Sequence, residues 1–140
     1  MILYQNSIIK LDYNPATDVL EVEYPDLHTF LIPEIKHTIN TMIEVIKNYD
    51  VKKVLIDSSR TIINVSEDES RDITTYLAAG LMQTRVEKLA RVQSSASVVE
   101  ETAQSNIKHV QDAQSLPFLL QNFSSKTEAL HWLSDYQKDS

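Results

Sequence analysis

Three consecutive apolar residues, Val54-Leu55-Ile56, are launched from Val51-Lys52-Lys53 and stopped by Asp57-Ser58-Ser59. A short apolar run without polar alternation, bounded by charge and turn chemistry, reads as a strand covered on both faces. Such strands belong to parallel sheets packed between helices. In open α/β sheets the C-terminal edge of the strands is where ligands and partners meet the fold. Asp57, Ser58 and Ser59 are therefore the first candidate site. Their competing role is local, because acids and hydroxyls after a strand also satisfy loop amides.

The flanking segments agree with this class. Ser7 to Tyr13 and Val19 to Tyr24 are strand-like, and the second alternates, with Leu20, Val22 and Tyr24 on one face. Asn14-Pro15-Ala16-Thr17-Asp18 between them is turn chemistry, so an N-terminal hairpin is expected, ended by Pro25-Asp26-Leu27-His28. Pro33 suits a first helical turn, and Ile35, Ile39, Met42, Ile43 and Ile46 recur at helical spacing up to Tyr49. Arg60 to Val65 is an apolar loop or short extended piece. Ser66 and Glu69 have the spacing of a capping box for a helix to about Thr84, with Gly80 inside it signalling close packing or a nearby end.

Leu89, Ala90 and Val92 mark a further buried strand. Ser94-Ser95-Ala96-Ser97 then caps a helix to about Asp112 with the stripe Val98, Val99, Ala103, Ile107 and Val110. Pro117 to Phe123 is the last strand, and Ser124 or Ser125 caps a helix over Lys126 to Tyr136 with Ala129, Leu130 and Leu133 inward. The order β-β-α-β-α-β-α-β-α predicts a single α/β domain over residues 1–140, with a mixed, mostly parallel five-stranded sheet and about four helices.

Composition narrows the function. Twenty acids against thirteen bases give −7, which disfavours nucleic acid and anionic membranes as partners. The chain has no cysteine, so thiolate catalysis and Cys-based zinc sites are excluded. Its one glycine argues against phosphate-cradling loops and nucleophile elbows. His28, His37, His109 and His131 lie on separate elements, and His37 with Glu44 or His109 with Asp112 is a lone pair, not a metal-ligand set. Glu67-Asp68-Glu69 falls in a first helical turn, where carboxylates favour the macrodipole. Trp132 in the final helix suits either an anchor for a partner or, the commoner role, core or half-buried packing. The N-terminal residues lack signal-peptide features and no apolar run is long enough to span a membrane, so a cytoplasmic protein without a cofactor is expected.

With this order in hand, the chain resembles the STAS-related SpoIIAA-like family, also described as STAS/SEC14-like. The resemblance is carried by the hairpin with Asn14-Pro15, by Tyr49-Asp50-Val51-Lys52-Lys53-Val54-Leu55-Ile56-Asp57, by Lys88-Leu89-Ala90-Arg91-Val92, and by Phe118 with Lys126 to Leu133. It implies a non-enzymatic protein-interaction or regulatory module similar to anti-sigma-factor antagonists. Those proteins carry a phosphorylatable serine in an Asp-Ser-Ser-Gly-like turn at a helix N-terminus. Asp57-Ser58-Ser59-Arg60 looks like that turn, but keeping the elements in order brings Ser66 to the position instead. Val65 then stands where the family has aspartate, and Glu67-Asp68-Glu69 replaces its small residues. A phosphate on Ser66 would gain the helix N-terminus but face three carboxylates. Asp57, Ser58, Ser59 and Ser66 form the expected interaction or phosphorylation surface, with a protein partner and a possible homodimer. The SEC14 side of the resemblance implies an alternative, a carrier or sensor of an apolar small molecule. That reading needs a pocket between helices and sheet, for which Ile62, Ile63 and Tyr76 are candidates.

Overall fold

A computed structural model of the chain describes residues 1–24, 26–28 and 31–134. The elements run β1 (Ile2–Gln5), β2 (Lys10–Asn14), β3 (Val19–Glu23), β4 (Leu27–His28), α1 (Ile32–Asn48), β5 (Lys53–Asp57), β6 (Ile63–Asn64), α2 (Glu67–Leu81), β7 (Lys88–Val92), α3 (Ser97–Ala113), β8 (Leu119–Phe123) and α4 (Lys126–Ser134). Pro25 and the expected helix end at Tyr136 lie outside the described residues.

The main sheet has the order β1-β2-β3-β5-β7-β8, and β4 pairs with β6 in a separate two-stranded ladder. The α/β class and the mixed sheet hold. Its size is corrected from five strands to six, because β1 adds antiparallel to β2. The hairpin forms as expected, Leu11 opposite Val22 and Tyr13 opposite Leu20. Asn14 Oδ1 accepts from the Ala16 N–H at 2.9 Å, and Asp18 takes φ 58°, a left-handed conformation that a short polar side chain tolerates. Beyond the hairpin, β3, β5, β7 and β8 are parallel neighbours.

The alternation of each strand splits the core into two layers. Leu11, Leu20, Val22, Val54, Ile56 and Leu89 pack with Ile35, Ile39, Met42, Ile46, Ile73 and Leu81 of α1 and α2. Val19, Leu55, Ala90 and Val92 face the other way, onto Ala129 and Leu133 of α4. Val54-Leu55-Ile56 is buried on both faces, as its unbroken apolar run requires. Pro33 sits in the first turn of α1, and Ser66 caps α2 through a capping box with Glu69. Ser125 accepts from the Glu128 N–H at the start of α4. At α3 the expectation fails twice. Its N-cap is Ala96 without a side-chain cap, and Val98 is 74% exposed.

Gly80 permits the close approach of α2 to α1, since a Cβ there would lie 2.8 Å from Ile43 Cγ1. Alanine would gain about 1 kcal/mol of helix propensity but must displace a branched, buried side chain. Gly80→Ala is therefore expected to lower stability by about 1 kcal/mol net, and the loss to shrink in an Ile43→Ala background. Urea unfolding of the four proteins of that cycle checks it; simple additivity would refute the contact.

Candidate functional site

The C-terminal ends of the parallel strands are staggered by backbone bonds that run past each strand: Tyr24 N–H to Asp57 O, Ser58 N–H to Val92 O, and Gln93 N–H to Phe123 O. Each strand thus hands its next residue to the neighbour's end, and Tyr24, Ser58 and Arg91 come together there. Thr61 Oγ1 donates to Tyr24 O at 3.3 Å and closes the loop after β5 onto β3.

The expected site residues divide. Asp57 and Ser59 line a polar cleft of about 720 Å³ with Lys10, Glu23, Asp26 and Arg60. Asp57 Oδ1 accepts from both the Ser59 N–H (3.0 Å) and the Ser59 Oγ (2.6 Å), so the acid shapes its own loop. Ser58 is buried and turns the other way, into an apolar cavity. Ser66 joins neither lining and is exposed at the start of α2. Its Oγ accepts from the Glu69 N–H, and its own N–H donates to Glu69 Oε1, both at 3.0 Å. The four residues are therefore one loop and one cap, not a single constellation.

The apolar cavity lies between α2, α3 and the sheet, and its volume is about 100 Å³. Leu77, Leu89, Val99, Ala103, Ile107 and Val110 supply much of its wall. The cause is the loose seating of α3. Only Asn106 and Val110 of that helix are buried, while Val99, Ala103 and Ile107 stay half-exposed. Of the residues expected in such a pocket, Ile63 lines it. Ile62 is 53% exposed, and Tyr76 donates outward to Asn40 Oδ1 at 2.7 Å.

One end of the cavity is polar, and sequence reasoning missed its central residue. Arg91 is buried in β7 and forks onto Glu100 of α3, Nη1 to Oε2 at 2.8 Å and Nη2 to Oε1 at 2.9 Å. Asn122 Oδ1 of β8 accepts a third bond from Nη1 at 3.1 Å. Glu100 also accepts from Ser94 N–H and Gln104 Nε2. Burial would push the Glu100 carboxyl up, but the bonds from Arg91, Gln104 and Ser94 together outweigh it and hold the group below its ordinary value. Burial raises the Tyr24 phenol to about 12, although the nearby Arg91 charge pulls the other way. Tyr24 is consequently a neutral O–H donor at any physiological pH. Asn106 Nδ2 donates to Ser70 Oγ at 2.9 Å, a buried polar tie between α3 and α2.

Among the described residues, no three His, Asp or Glu side chains gather as a metal-ligand group, and no helix is long and apolar enough to cross a membrane. Trp132 is half-buried, its ring 5.6 Å from that of Phe123 and 5.0 Å from Lys88 Nζ. No model of a known protein family, no curated protein and no solved structure matches the chain.

Proposed function

We propose that this chain is a cytoplasmic binding module without catalytic chemistry of its own, which takes up a small apolar molecule between α2, α3 and the sheet as a carrier or sensor. The observation that carries this reading is the cavity of about 100 Å³, walled by aliphatic side chains and covered by a helix that buries only Asn106 and Val110. Close packing is the norm in protein interiors, so an apolar space under a loosely seated helix is a candidate for occupancy. The net charge of −7 disfavours nucleic acid as a partner. On this reading the architecture is SpoIIAA-like, with the carrier side of that resemblance in use.

Xenon titration followed by methyl NMR tests the proposal, because dry apolar cavities bind xenon. Saturable shifts are expected at Leu77, Ile107 and Val110 in the native protein. They should vanish in Ala103→Leu, whose longer side chain fills the space, at a stability cost of no more than about 1 to 3 kcal/mol. Unperturbed methyls in the native protein would end the reading.

A protein-interaction module is the second reading. Its support is the polar cleft lined by Asp57, Ser59 and Arg60 at the C-terminal edge of the strands, where partners meet open α/β sheets, with Ile62 exposed just after that loop. Ile62→Asp would abolish partner capture on that reading and leave xenon binding intact.

A further inference from the structure

The polar end of the cavity is rich in donors and already neutral in charge. A guanidinium carries five N–H groups in a fixed fork. In Arg91, two point at Glu100 and one at Asn122, so the Nε–H and one Nη2–H make no hydrogen bond among the described residues. The Tyr24 hydroxyl makes none either, and it lines the same cavity as Arg91 and Ser58. The Glu100 carboxylate, by contrast, is saturated by four bonds. What this end offers an incoming molecule is hydrogen to donate.

Charge decides which acceptor fits. Arg91 and Glu100 have side chains only 10% and 16% exposed, and their charges cancel. A carboxylate entering beside them would bring an uncompensated negative charge into a poorly solvated space and compete with Glu100 for the same fork. A ketone, ester or ether oxygen accepts the spare hydrogens without that penalty. Size limits the rest. An apolar cavity of about 150 Å³ takes benzene, so about 100 Å³ suits a body of roughly four to six heavy atoms.

We propose that the ligand is a small, neutral, mainly aliphatic molecule bearing one hydrogen-bond acceptor, its oxygen held by Arg91 and Tyr24 and its hydrocarbon body against Leu77, Ala103, Ile107 and Val110. This assignment rests on the binding reading above and specifies its ligand class.

Three probes of equal heavy-atom count separate the possibilities: cyclopentanone, methylcyclopentane and cyclopropanecarboxylate, titrated at neutral pH by methyl NMR of the full chain. Cyclopentanone is expected to bind about tenfold more tightly than methylcyclopentane, the scale of a charge-assisted hydrogen bond, and to outbind the carboxylate by at least as much. In Glu100→Gln, where Arg91 keeps an unbalanced charge, the order of ketone and carboxylate should reverse. The native series stands on its own if that variant fails to fold. Equal or tighter binding of methylcyclopentane would overturn the acceptor assignment while leaving the cavity a binding site. Preference of the native protein for the carboxylate would overturn neutrality. Binding of none of the three, together with no xenon shift, would remove both the assignment and the reading beneath it.

Discussion

Replacing Arg91 by alanine is expected to lower the unfolding free energy by about 3 to 5 kcal/mol, the usual range for removing one partner of a buried ion pair. The two side chains are 10% and 16% exposed, so solvent screening gives little relief. Without the guanidinium, Glu100 retains only its bonds from Ser94 N–H and Gln104, which do not supply a positive charge. Asn122 loses its donor at the same time. The burden of the penalty falls on the first turns of α3, because Glu100 is the link between that helix and β7. Arg91→Met combined with Glu100→Leu provides the control, since removing both charges is often neutral or stabilising. Urea unfolding of native, single and double variants decides the matter. A single-variant loss below about 1 kcal/mol would place the pair with solvent-screened surface bridges.

The same pair gives stability a pH dependence whose sign is fixed by the direction of the shift. The Glu100 carboxyl is lowered from an ordinary value of 4.5. Its contribution is therefore complete above that value and is lost as pH falls through the folded-state pKa. Asp12, bonded to the N-terminal amine, and Asp50, bonded to Lys52, are lowered as well and fail in the same acid range. Acid weakening thus has several sources, and only the Glu100 share should loosen α3 selectively.

How far the sequence determined these features varies with the range of the forces involved. The strands β2, β3, β5, β7 and β8 and all four helices were legible from their apolar patterning, although the serine cap expected for α3 did not form and Val98 of its stripe is exposed. Ser66 with Glu69 announced the capping box, and Gly80 signalled close packing or a nearby helix end, of which the structure shows the close packing, against Ile43 of α1. The strand β1 was not legible, since Ile2-Leu3-Tyr4-Gln5 is an edge segment that shows no alternation and whose pairing is set by Lys10, Leu11 and Asp12. The two-residue ladder of β4 and β6 joins Leu27 to Ile63, a contact between segments too short to carry a pattern. Val98 kept helical spacing yet is exposed to solvent, while its neighbour Val99 takes the inward place and lines the cavity.

The site was legible in the same graded way. The edge after β5 followed from the abrupt stop at Asp57, and the structure adds that Ser58 and Ser59 face different spaces. Ser66 lines neither space, and its hydroxyl is already committed to capping its own helix. The Arg91–Glu100 pair went unread although a signal was present. An arginine between Ala90 and Val92, in a strand buried on both faces, must find an opposite charge or remain a severe cost. Its partner lay nine positions on, across a helix start, where no local pattern points.

Truncating Leu133 to alanine is expected to cost about 3 to 4 kcal/mol and to release α4 before the rest of the fold yields. Leu133 is fully buried and, with Ala129, supplies the buried contact of α4 to Val19, Leu55, Ala90 and Val92. The opposite layer shares its burial between α1 and α2, whereas among the described residues this one has a single helix, α4. Most of a helix's stability in a protein comes from packing of its apolar face, so the order of α4 depends on this anchor. The surrounding ties are peripheral: Lys126 Nζ to Glu21 at 2.6 Å and Lys88 Nζ to Trp132 O at 3.3 Å, neither able to replace an apolar seat. Hydrogen exchange should show the amides of α4 losing protection in Leu133→Ala well beyond those of α1 and α2, with a smaller loss in β5 and β7. Uniform loss across the molecule would instead mean that α4 and the sheet unfold as one cooperative unit, and the cavity between α2 and α3 would then share the stability of the whole chain.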